Sequence, residues 1–84
     1  GRLQLHERLP AGTPIPNTEF EIYNARTGRL VDTIRTNKNG VAVSKPLPLA
    51  RYKIIESRTA DFYGLDKTPI EVEIEHEARS SRQL

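Results

Sequence analysis

Residues Ile70, Val72 and Ile74 alternate with Glu71, Glu73 and Glu75. Side chains of period two lie on opposite faces of an extended strand, so one face here is apolar and the other anionic. The same rhythm recurs earlier. Leu3 and Leu5 alternate with Gln4 and His6, and Phe20 and Ile22 with Glu19, Glu21 and Tyr23. Val31 and Ile34, then Val41 and Val43, mark two further strands, and Tyr52, Ile54 and Glu56 share one face of another. No window carries an apolar stripe at helical spacing. With six prolines and five glycines, the chain is interrupted too often for long helices. The pattern predicts an all-β domain.

Turn chemistry lies between the strands. Pro14 and Pro16 bracket the entry to the Phe20 strand, and Asn24 to Gly28 has the composition of a hairpin turn. Asn37 to Gly40 ends in an Asn-Gly pair, a strong hairpin signal. Pro46 and Pro48 bar a central strand between them, because proline donates no ladder hydrogen bond. Residues 59–68 form a longer loop that holds Phe62 and Tyr63. Turns spaced roughly every 10–12 residues suggest a sandwich or small barrel. Residues 1–77 are expected to form the domain, and 78–84 a flexible tail or linker with little to bury.

Size and composition set the remaining limits. Eighty-four residues make one domain with a thin core, and the absence of cysteine removes both a disulfide framework and thiolate metal sites. A core of that kind gains from some other brace. The net charge of +2 is spread along the chain, which argues against nucleic acid as a partner. No apolar run approaches the roughly 20 residues of a membrane-spanning helix. The stretch at Gly1 lacks signal-peptide character, which leaves export open.

The order of these elements resembles the Cna protein B-type (CnaB-like, prealbumin-like) domain of Gram-positive surface proteins, pilins and adhesins. The resemblance runs over roughly residues 3–77. It is carried by Gly12-Thr13-Pro14-Ile15 and Glu19 to Ile22, then Thr27-Gly28, Thr33 to Asn37 and Asn39-Gly40-Val41-Ala42. Leu47 to Leu49 then lead into Tyr52-Lys53-Ile54-Ile55-Glu56, its most specific part, and Ala60 to Tyr63 follow. It implies a seven-stranded reverse immunoglobulin-like sandwich. Many such domains carry an isopeptide bond between a first-strand lysine and a last-strand asparagine or aspartate, assisted by a buried acid at the Tyr-x-Ile-x-Glu position.

This chain departs from that pattern. The lysine is expected near Leu5 to Glu7, yet Leu3 to Arg8 contain none, and the first lysine of the chain is Lys38. Residues 70–77, taken as the last strand, hold neither asparagine nor aspartate. No intramolecular isopeptide bond is therefore expected. Glu56 is the candidate relic of the isopeptide acid. The plainer reading is a glutamate bonded to a hydroxyl or a backbone amide, as buried polar groups usually are.

Other residues divide in the same way. Glu71, Glu73, Glu75 and Glu77 form an anionic row, read as a solvated face or as one paired with Gln4, His6 and Arg8 if the first and last strands are adjacent. Calcium is disfavoured, since it takes roughly six to eight converging oxygens and a flat strand does not converge them. His6 and His76 lack the spaced cluster that zinc needs, and the serines lie in no nucleophile elbow. No catalytic, metal or cofactor residue is expected. Phe62 and Tyr63 are the candidate ligand-contact loop; the plainer reading has one ring plugging the end of the sandwich. Arg26, Arg29 and Arg35 read as scattered solubilising charges.

These observations favour a non-catalytic structural or spacer module of a bacterial cell-surface protein, a stalk, pilin or adhesin repeat outside the cell or in the wall. Its partners are then the neighbouring β-domains of the same parent chain. Two alternatives stay open: an adhesive module whose loops bind a host protein or a glycan, and an accessory β-domain of a secreted enzyme.

Overall fold

The computed structural model describes residues 1–9, 11–59, 69–74 and 78–83, the last span by its backbone. Seven strands follow one another: β1 (Leu3–Arg8), β2 (Glu19–Asn24), β3 (Leu30–Arg35), β4 (Val41–Val43), β5 (Ala50–Arg58), β6 (Ile70–Ile74) and β7 (Ala78–Gln83). They build a three-stranded sheet ordered β4-β1-β7 and a four-stranded sheet ordered β3-β2-β5-β6.

The alternating residues meet between the sheets. Leu3, Leu5 and Ala42 from the smaller sheet pack with Phe20, Ile22, Ile34, Tyr52, Ile54 and Ile74 from the larger, and Leu47 joins them from the proline segment. Removing these side chains from water is the main favourable contribution to folding. The two sheets make a sandwich, as the sequence predicts.

The turns form as their residues dictate. Asn24 Oδ1 accepts the amides of Arg26 and Thr27 at 2.9 and 3.0 Å, holding the β2–β3 connection. In the β3–β4 connection Asn37 Oδ1 accepts the Asn39 amide at 2.8 Å, and the Gly40 N–H reaches the Asn37 carbonyl at 2.9 Å. Gly40 has φ 73° and an ideal Cβ placed on it would lie 2.5 Å from the Glu7 carbonyl oxygen. Glycine is required there by both conformation and space.

Two expectations are corrected. Residues 78–83 are not a tail: β7 pairs with β1 in parallel, from Leu3 opposite Ala78 to Arg8 opposite Gln83. Such a ladder is made by backbone groups, so it requires no apolar rhythm in the sequence. The glutamates of β6 also do not face Gln4, His6 and Arg8. β6 pairs with β5 in the other sheet, where Glu71 stands opposite Lys53 and Glu73 opposite Arg51.

Candidate functional site

Strand β5 turns Tyr52, Ile54 and Glu56 toward the core, and Glu56 is only 1% exposed. The inward direction predicted for this acid is therefore correct. The Tyr52 hydroxyl donates to the Pro48 carbonyl at 2.7 Å, fixing the chain just before the strand. Burial raises the phenol pKa above its ordinary 10.0.

Strand β1 repeats the arrangement from the opposite sheet. Leu3, Leu5 and Glu7 point inward, and Glu7 is 0% exposed. Glu7 thus lies within the span where the resemblance places a lysine. Sequence reasoning left it unnamed, although counting by twos from Leu3 and Leu5 reaches it. The parallel neighbour of β1 is β7, whose Ala-Arg-Ser-Ser-Arg-Gln sequence contains no asparagine or aspartate. A lysine–asparagine cross-link between β1 and its parallel neighbour has neither partner.

The outer face of the larger sheet carries a charge network. Glu19 Oε1 accepts the Ser57 hydroxyl at 2.8 Å, and Oε2 accepts from Arg35 at 3.2 Å. Arg58 lies 3.9 Å away. The Ser57 hydrogen bond, then the Arg35 hydrogen bond, hold the Glu19 carboxyl below its ordinary 4.5, with Arg58 adding a smaller attraction. The network crosses β3, β2 and β5 and is structural.

A cleft of about 380 Å³ opens at the β2–β3 turn, lined by Asn24, Thr27, Arg29, Leu30, Val31 and Lys45. Arg29 and Lys45 both line this cleft. Among the described residues no group of three or more His, Cys, Asp or Glu is placed to hold a metal. No helix there is long and apolar enough to cross a membrane. Phe62, Tyr63, Glu75, His76 and Glu77 lie outside the described residues.

The model of the SpaA prealbumin-like fold domain matches residues 9–83. The chain belongs to this family. The SpaA-type domain here is 33% identical over 60 residues to the trypsin-resistant surface T6 protein of Streptococcus pyogenes serotype M6, which covers 71% of this chain and 11% of that protein. The solved T6 backbone pilin superposes with a TM-score of 0.78 at 27% identity, over 86% of this chain and 15% of the pilin. The Bacillus anthracis TIE protein superposes over all of this chain and 16% of its own, with a TM-score of 0.85 and 28% identity. The chain thus spans a small part of the proteins it resembles. The prealbumin-like fold implied by the residue order is confirmed.

Proposed function

We propose that this SpaA-type domain is a non-catalytic structural module of a larger Gram-positive cell-surface protein, folded without an intramolecular isopeptide bond. The observation that carries the reading is its likeness to the T6 backbone pilin, a protein with a modular three-domain structure. The module then lies outside the membrane, in the wall or on a pilus, and its partners are neighbouring β-domains of the same parent chain.

The strand arrangement supports a load-carrying role. β1 and β7 are adjacent and parallel over six residue pairs. Tension applied at the two ends of a parallel pair pulls the strands past one another, so the rungs are loaded together instead of being opened singly. That geometry suits a spacer whose ends are pulled. Glu56 is then the retained acid of a cross-link whose lysine is missing from β1 and whose asparagine or aspartate is missing from residues 70–83.

Brief trypsin treatment of intact source cells tests the surface role. Peptides from residues 30–35 or 52–58 are expected in the released fraction, without cytosolic markers. Their appearance only after lysis overturns the reading.

A further inference from the structure

Strands β3 and β6 are the two edges of the four-stranded sheet; β6 carries Glu71 and Glu73, and the cleft just before β3 carries Arg29 and Lys45. On β6, Glu71 and Glu73 are exposed. Glu71 forms no ion pair among the described residues, and Glu73 has only a loose one, 3.8 Å from Arg51. At the β3 edge the cleft presents Arg29 and Lys45, neither of them in an ion pair among the described residues. Leu30, in the same cleft, is 46% exposed. Asp32 lies next to it, but its carboxylate is turned on backbone amides, Oδ1 on Thr33 and Oδ2 on Lys45.

Register connects the two edges. Leu30 stands opposite Tyr23, Tyr23 opposite Lys53, and Lys53 opposite Glu71, so one row crosses the sheet from cleft to acidic edge. Strand direction fits as well. β2 is antiparallel to both β3 and β5, and β5 to β6, so β3 and β6 run in opposite senses. A second copy translated along the sheet, without rotation or vertical shift, brings its β3 antiparallel to β6 and its Leu30 level with Glu71.

We propose that copies of this domain associate edge to edge, Glu71 and Glu73 of one meeting Arg29 and Lys45 of the next. The contact is heterologous, so each copy keeps one edge free and the array is open. It is carried by side chains of the cleft beside the start of β3. Farther along that strand the Thr33 amide is already taken by Asp32, and this prevents a continuous ladder. An interaction of exposed charges is weak and salt-sensitive. This inference is independent of where the parent protein resides.

Sedimentation equilibrium of the 84-residue chain at low and high salt tests it, with two charge-reversed variants, R29E/K45E and E71K/E73K. Wild type is expected to self-associate at high-micromolar to millimolar concentration in low salt, and several-fold more weakly in high salt. Each variant alone is expected to be monomeric, because its two edges then carry the same sign. An equimolar mixture is expected to associate again, since each variant supplies the edge the other has lost. Circular dichroism checks that the variants fold, and E71Q, a milder change, is expected to weaken association of an otherwise intact protein. A wild type that stays monomeric at low salt overturns the proposal, even if it binds an unrelated acidic peptide. So does association that the variants leave unchanged, or a folded mixture that stays monomeric.

Discussion

Asp32 and Lys45 are joined across the rim of the sandwich: the Lys45 backbone N–H donates to Asp32 Oδ2 at 2.9 Å. The other oxygen, Oδ1, accepts the Thr33 amide at 2.8 Å. One carboxylate on an edge strand of the larger sheet therefore holds the segment that leaves β4 of the smaller sheet. It also occupies a backbone donor that a foreign strand would otherwise use. Replacing Asp32 with alanine is expected to cost about 1–2 kcal/mol, the range for hydrogen bonds to a partly exposed charged group. Urea denaturation measures it, and D32A is also expected to aggregate more readily than wild type during refolding.

Gly40 and Gly28 separate two causes of glycine requirement. Both have positive φ, 73° and 76°. An ideal Cβ at Gly28 meets nothing within 4 Å, whereas one at Gly40 lies 2.5 Å from the Glu7 carbonyl oxygen, which is backbone and has no flexible end to move. G28A is expected to lose about 1 kcal/mol, the cost of a left-handed residue. G40A is expected to lose at least about 2–4 kcal/mol, because strain and overpacking add. Paired thermal melts compare them, and equal losses contradict the account.

The alternation that reveals β1, β2, β5 and β6 is legible because each buries one face, so polarity in the sequence copies geometry. Glu56 is found for the same reason, two steps beyond Ile54. β7 is invisible to that method. Its residues 78–83 carry no apolar alternation, and its place is set by backbone pairing with β1. Glu7 is disguised by its neighbours His6 and Arg8, since a charged run is expected to face water. The cleft is not legible at all. Arg29 and Lys45 are distant in sequence and line one cleft only because the ends of β3 and β4 lie at the same rim.

Glu19 shifts downward on folding, and Tyr23 and Tyr52 shift upward, Tyr23 chiefly through its hydrogen bond to Glu21. The folded state lowers the Glu19 pKa below 4.5, through Ser57 first and Arg35 second. Its contribution is present above the unfolded value and is lost as pH falls through the folded value. Tyr52 is the reverse case: burial raises its pKa above 10.0, so its contribution is complete below that value and lost as pH rises through the folded one. E19Q is expected to flatten the acid limb of the profile, and Y52F the alkaline limb. Denaturation midpoints across pH measure both.

The parallel β1–β7 pair predicts a mechanical asymmetry. Pulled through residues 1 and 84, the domain is expected to resist as a unit and yield in one step. Pulled through sites in the β2–β3 and β3–β4 turns, it is expected to open at lower force, because fewer rungs bear the load at once. Ser80→Pro removes one backbone donor from β7, and is expected to lower the first force and leave the second nearly unchanged. Single-molecule force spectroscopy with the two attachment geometries compares them.

We propose that this SpaA-type sandwich holds its shape without a cross-link between strands, for β1 contains no lysine. The intact mass of the folded chain tests this most directly. The account predicts the plain sequence mass, unchanged after prolonged incubation in the folded state. A mass lower by one ammonia or one water, with fragmentation locating a bond between two strands, contradicts it.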